Sequence, residues 1–226
     1  MKMKYLFIVV TSLVFFTSLN FTQLNAQIGL KAGLISSSIS LDGSPSDFVE
    51  VNSESIIGYQ FGVVYNIGIG NKFSIQPEVA FSRTGNRLVV DPIDMDPSTE
   101  VTTEYSNLNL TAIAQYNLIG NNDGLRLYVL GGGFGEYLFS ELTIFNLGGN
   151  INSLKQDLEN DEFFNRLNYG LTVGVGVGLN SFFVQLRGAF GLTNLNSISF
   201  TDINGEVLGQ AENNSRYYSL IVGYLF

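Results

Sequence analysis

The sequence predicts an all-β chain: an eight-stranded antiparallel transmembrane β-barrel, an up-and-down meander with four long extracellular loops. Three observations predict it. Hydropathy alternates with period two over eight segments, the face opposite the apolar one is small and nearly uncharged, and the joins between segments are alternately short and long. Successive side chains of a strand point to opposite faces, so period two is a strand signal. Short turns at one end and long loops at the other are the layout of a barrel that crosses an outer membrane.

Residues 1–26 are expected to form a cleaved export signal. Lys2 and Lys4 supply the positive start, Tyr5 to Phe16 the apolar run, and Leu24-Asn25-Ala26 the cleavage site before Gln27. That run is about a dozen residues, whereas a spanning helix needs roughly 20. The alternative is an uncleaved anchor helix. No cysteine follows the run, so a lipoprotein anchor is excluded. Residues 27–226 then form one barrel domain.

The eight segments follow in order. Ile28, Leu30, Ala32 and Leu34 oppose Gly29, Lys31 and Gly33. Ile57, Tyr59, Phe61, Val63, Tyr65 and Ile67 oppose Gly58, Gln60, Gly62, Val64 and Asn66. Phe73, Ile75, Val79 and Phe81 oppose Ser74, Gln76, Glu78 and Ser82. Leu108, Leu110, Ala112, Ala114, Tyr116 and Leu118 oppose Asn107, Asn109, Thr111, Gln115 and Asn117. The fifth segment, Leu125 to Glu136, is blurred by Gly131-Gly132-Gly133, and Leu130 and Phe134 fall on its polar side. From Leu167 to Leu179 the odd positions are all apolar apart from the Tyr169 hydroxyl, and the even ones all small or polar. Phe182 to Thr193 and Tyr218 to Phe226 repeat the pattern. Gly68–Asn71, Gly120–Gly124 and Asn180–Ser181 carry turn residues. The joins near 37–56, 85–104, 140–165 and 196–214 are long and polar, and within the third, Ser153-Leu154-Lys155-Gln156 is a weak helix-cap signal.

Parity does not say which face is inside, but side-chain size does. A soluble barrel would show a charged outer face, whereas the polar face here is mostly Gly, Ser, Thr, Asn and Gln. The bore of an eight-stranded barrel is only just wide enough for side chains, so rows of Leu, Val, Phe and Tyr would overfill it. The apolar face is therefore expected to meet lipid, where only helices and closed barrels satisfy their backbone. Tyr65, Phe73, Tyr116, Phe182, Tyr224 and Phe226 gather near the short-turn end, as an interfacial girdle would.

Composition removes several kinds of chemistry. The chain has 226 residues, no cysteine and no histidine, which excludes disulfides, thiol catalysis, Cys/His zinc sites and any Ser-His mechanism. A net charge of −9 argues against nucleic-acid binding. Neither an enzymatic activity nor a cofactor is expected.

The segments Gly29-Leu30-Lys31-Ala32-Gly33-Leu34, Gly58-Tyr59-Gln60-Phe61-Gly62, Phe73-Ser74-Ile75-Gln76-Pro77-Glu78-Val79 and Leu220-Ile221-Val222-Gly223-Tyr224-Leu225-Phe226 resemble the outer-membrane β-barrel domain family common in Bacteroidota, with porin-family and PorT-like members. The resemblance spans essentially residues 27–226. It implies an eight-stranded outer-membrane barrel, outer-membrane lipids as surroundings, and no agreed activity. Phe226, with Tyr224 and Val222 on its face, is similar to the terminal signal read by barrel-assembly machinery.

The polar face carries five charges: Lys31, Glu78, Arg126, Glu136 and Arg187. Lys31, Glu78 and Arg187 lie at similar distances above the short turns and are expected to share a level of the lumen, with Glu78 paired to both cations. The favoured role is a side-chain plug in a structural or surface-interaction barrel. The alternatives are a narrow channel for small solutes, opened by inward glycines opposite Tyr128, Phe134 and Phe183, or an accessory of a secretion machine. Of 20 acidic residues, 17 fall in the four long joins, against only Arg87 and Lys155. They read as solvated loops, or, through Asp91, Asp94 and Asp96, as oxygen ligands for a divalent cation.

Overall fold

The structure, a computed structural model, describes residues 24–42, 49–92, 99–121, 124–147, 150–157, 166–193, 198–201 and 207–226. Residues 1–23 of the expected export signal lie outside the described residues. The expected cleavage site falls inside the first strand, where Ala26 opposes Ile67.

Ten strands are described: β1 Leu24–Asp42, β2 Val49–Ile69, β3 Phe73–Pro92, β4 Thr99–Ile119, β5 Leu125–Leu147, β6 Asn150–Asp157, β7 Leu167–Leu179, β8 Phe182–Gly191, β9 Ile198–Thr201 and β10 Val207–Leu225. Eight of them close a ring in the order β1-β2-β3-β4-β5-β7-β8-β10, each antiparallel to its neighbours, with β10 returning to β1. The remaining two, β6 and β9, pair only with β5 and β10 respectively. Three tight turns join strands at one end. Gly70 and Gly120 take positive φ of 65° and 79°, and Asn180 does so at 52° in the two-residue turn to Ser181, a position that suits glycine and asparagine.

Ring closure fixes a stagger. Leu225 donates its N–H to Ser181 O at the base of β8. Stepping across partners from Leu225 gives Gly29, Val64, Glu78, Thr111, Phe134 and Gly170, and the path re-enters β8 at Gly191, ten positions beyond Ser181. Strands in such a ring are strongly tilted. β8 has 10 residues. At about 3.3 Å per residue and a tilt near 40°, it rises roughly 25 Å, the height of an outer-membrane apolar band.

Burial alternates residue by residue along β7, and the exposed set is Leu167, Tyr169, Leu171, Val173, Val175, Val177 and Leu179. The same outward apolar rows run along β1 to β5, β8 and β10, with Phe182 64% exposed and its neighbour Phe183 only 2%. The glycine-rich part of β5 keeps this alternation. Gly131, Gly133 and Gly135 face out, while Leu130 and Phe134 turn into the bore.

Above the belt the strands run further than one-sided hydropathy indicates. β2, β3, β4 and β5 continue as paired ladders through Val49–Ser55, Asn86–Pro92, Thr99–Ser106 and Ser140–Leu147, and β6 adds a further strand. Val51, Val89, Val101, Thr103, Ile144 and Phe145 are β-formers that make these stretches pair. The Ser153–Gln156 helix signal is corrected here: the four residues lie in β6, opposite Ile144, Thr143, Leu142 and Glu141. The waiting edge of β5 outweighs a weak local cap.

An arginine on the lipid face should cost most at mid-depth. Val173→Arg, facing out near the middle of the belt, is expected to lower the stability of the barrel folded in vesicles by about 2–4 kcal/mol. Leu192→Arg, at the rim, should lower it by no more than about 1 kcal/mol. Urea titration in vesicles reads both.

Candidate functional site

The bore is filled by pairs of very unequal side chains. Inward positions of β7 include Gly170, Gly174, Gly176 and Gly178, β10 adds Gly223, and the strands around them send in large groups. A Cβ at Gly176 would lie 2.4 Å from Tyr128 Cζ, at Gly178 2.5 Å from Arg126 Nε, at Gly170 2.7 Å from the Phe134 ring and at Gly223 2.1 Å from Phe183 Cζ. These glycines therefore leave no gap, because Tyr128, Arg126, Phe134 and Phe183 lie across them. Two buried apolar clusters complete the lower bore: Val64, Phe183, Ile221 and Leu225, and Ile113, Tyr128 and Leu130.

A charged cluster sits among these groups. Lys31 of β1 donates from Nζ to Glu78 Oε2 of β3 at 2.5 Å. Arg187 of β8 grips the same carboxylate with both terminal nitrogens, Nη1 to Oε2 at 2.9 Å and Nη2 to Oε1 at 2.6 Å. Gln76 Nε2 adds a bond to Oε1 at 2.6 Å. Glu78 thus accepts four bonds, the full capacity of a carboxylate. All three charged side chains are at most 5% exposed.

Amides extend the cluster in both directions. Gln115 Nε2 donates to Gln76 Oε1 at 2.6 Å, and Ser74 Oγ to Gln115 Oε1 at 3.2 Å. On the other side Arg187 Nε donates to Gln185 Oε1 at 2.9 Å, Arg187 Nη2 donates to the same oxygen, and Gln185 Nε2 donates to Tyr128 Oη at 2.8 Å. The Arg126 guanidinium lies 5.3 Å from the Tyr128 ring centre, a cation–π distance. A continuous polar chain from Ser74 to Arg126 therefore crosses the lumen from β3 and β4 to β5 and β8.

Glu136 stands apart in a second cluster higher up. It accepts from Asn168 Nδ2 at 2.7 Å and from Tyr217 Oη at 3.0 Å, and Asn168 Nδ2 also donates to Ser215 Oγ at 2.9 Å. Between the clusters lies a cavity of about 60 Å³, bounded by Lys31, Arg187, Gln60, Phe134, Glu136 and Tyr217. Its size admits water.

Of the five charged positions singled out in the sequence, the structure brings Lys31, Glu78 and Arg187 together, seats Glu136 among neutral partners and lays Arg126 on Tyr128. The partners Gln76, Gln115, Gln185, Asn168 and Tyr217 were not singled out, although inward parity marks each of them. The acidic trio of the second long join is untouched by this geometry: Asp94 and Asp96, and the side chain of Asp91, lie outside the described residues. Among the described residues no group of acidic side chains is placed to hold a metal ion.

A closed ring with an apolar exterior and a packed polar bore defines a transmembrane β-barrel. Residues 20–197 match the family model described as an outer membrane protein beta-barrel domain, and the chain belongs to that family. It is accordingly a small barrel protein of a Gram-negative outer membrane. The match is to the barrel family as a whole. No curated protein matches the chain. Solved structures with a similar fold include the outer membrane protein OprG of Pseudomonas aeruginosa, 15% identical, with a TM-score of 0.46 over 89% of this chain and 96% of that one. Ail, the attachment invasion locus protein of Yersinia pestis, is 15% identical, with a TM-score of 0.42 over 89% and 99% of the two chains. Neisserial surface protein A is 14% identical, with a TM-score of 0.42 over 89% and 99%.

Removing one member of a buried ion cluster strands the others. Glu78→Ala is expected to destabilise the barrel by about 3–5 kcal/mol, while the triple replacement Lys31→Met, Glu78→Leu, Arg187→Met should recover most of that loss. Urea unfolding of the two variants in vesicles checks the contrast.

Proposed function

We propose that this protein is a closed, non-enzymatic outer-membrane barrel that acts through its extracellular surface and not through a pore. One observation carries the reading: Lys31, Glu78 and Arg187, from three strands, meet inside the bore above Tyr128 and Gln185. The channel alternative needs space opposite the inward glycines, and Tyr128, Phe134 and Phe183 already occupy it. The absence of histidine and cysteine removes the usual general base and nucleophile.

The outer end supports the same reading. The ladders of β2 to β6 hold backbone carrying Glu50, Glu54, Glu100, Glu104 and Glu141 in ordered strands. Arg83 pairs with Glu104, and Arg87 with Glu54 at 3.8 Å, leaving acidic groups in excess. A fixed acidic surface favours partners that carry positive charge and speeds their encounter.

Planar-bilayer recording decides between pore and plug. Wild-type barrel is expected to give a flat baseline, and liposomes carrying it should not swell in small sugars. Stepwise currents through wild type that grow in Glu78→Ala would overturn the closed reading.

A further inference from the structure

We propose that the outward face of β10, β1 and β8, at the upper rim of the apolar belt, binds the phosphate of an outer-leaflet lipid, with Arg216 as its cation. Arg216 of β10 lies opposite Phe190, the penultimate residue of β8, and opposite Ser38 of β1. Its neighbours Ser215 and Tyr217 turn into the bore, so Arg216 and Tyr218 face out, and both are exposed. β8 spans the belt, so Arg216 stands at the level where lipid headgroups begin.

Three features converge on a phosphate-bearing lipid. First, Arg216 is an exposed guanidinium that no carboxylate engages among the described residues, whereas the outward arginine of β3, Arg83, is paired with Glu104. A free guanidinium offers two parallel N–H donors to a phosphate. Second, Ser38 sits across the ladder from Arg216, and Ser36, two positions lower, sits across from Tyr218. Both serines face out and are half-buried, an unusual choice in a lipid-facing row, and their hydroxyls can donate to the same phosphate. Third, the wall beneath is indented. A Cβ at Gly188, which pairs with Tyr218, would lie 3.6 Å from the Phe190 ring and 3.7 Å from the Tyr218 ring. The slot between the two rings admits the first carbons of an acyl chain directly below the cation.

The source is the membrane and not the medium. A soluble anion would approach past the extracellular joins that hold 17 of the 20 acidic residues, whose field repels it. A lipid arrives sideways within the bilayer, below that field, and its chain fills the slot.

Native mass spectrometry of the full chain, released from neutral detergent and equilibrated with dimyristoyl phosphatidic acid, tests this. Wild type is expected to retain one lipid. Arg216→Gln should weaken retention about tenfold, the loss of one charge-assisted pair. Arg216→Lys should restore part of it, and Gly188→Leu, which fills the slot, should weaken it without touching the cation. Heat-shifted gel mobility confirms that each variant is folded. Equal retention by wild type and Arg216→Gln overturns the site. Displacement of the lipid by millimolar inorganic phosphate, with Gly188→Leu unaffected, overturns the lipid as occupant.

Discussion

Inside a bilayer no water is available to a peptide group, so each N–H and C=O must find its partner in the protein. For a chain of alternating strands the only complete answer is closure, and in this molecule the closing seam is the β1–β10 ladder, from Gly29↔Leu225 to Asp42↔Glu212. Closure has a geometric corollary. Once the ring returns to β8 ten positions beyond its start, tilt, bore width and the level of every inward residue are set together. The side chains of the lumen do not choose their neighbours; the stagger chooses them.

That bore presents two problems, volume and charge. An eight-stranded interior cannot take large groups from every strand, so large groups are set against glycine: Tyr128 over Gly176, Arg126 over Gly178, Phe183 over Gly223. The charges are buried just as deeply, and a buried ion is costly unless neighbouring groups bond to it. Glu78 meets that condition with two cations and an amide. Gln76, Gln115 and Gln185 then pass hydrogen bonds from one wall to another, because an amide both donates and accepts. A lysine, which only donates, could not link these groups.

Within the belt the fold is legible because one face is greasy and the other is not, and period two carries a strong contrast. Even β5, where three consecutive glycines blur the pattern, keeps its parity once Leu130 and Phe134 are placed in the bore. Above the belt both faces of a strand are wet, the contrast vanishes, and the continuation of β2 to β5 leaves no one-sided trace; only β-branched residues such as Val51, Val89 and Thr103 hint at it. The strand β6 is harder still, since its pairing depends on an edge of β5 that lies elsewhere in the chain. In the lumen, inward parity and height above the turns can be counted from sequence for Lys31, Glu78 and Arg187. The partners of Glu136, namely Asn168 and Tyr217 from β7 and β10, depend on a stagger that no single strand encodes.

The interior and the outer end thus differ in what they leave free. In the lower bore Glu78, Arg187 and the three glutamines are spent on one another, and Lys31, Arg187 and Glu136, which bound the cavity above them, are engaged as well. Above the membrane the reverse holds: acidic groups outnumber basic ones, and the ladders that carry them extend the barrel wall. Ordering a loop on binding costs conformational entropy, and a surface already built as sheet has met that cost during folding. A long loop that folds as sheet is a way of presenting charge in fixed positions. On the reading proposed above, such an arrangement serves recognition at the cell surface, and passage through the wall would require breaking the most completely bonded carboxylate in the described lumen.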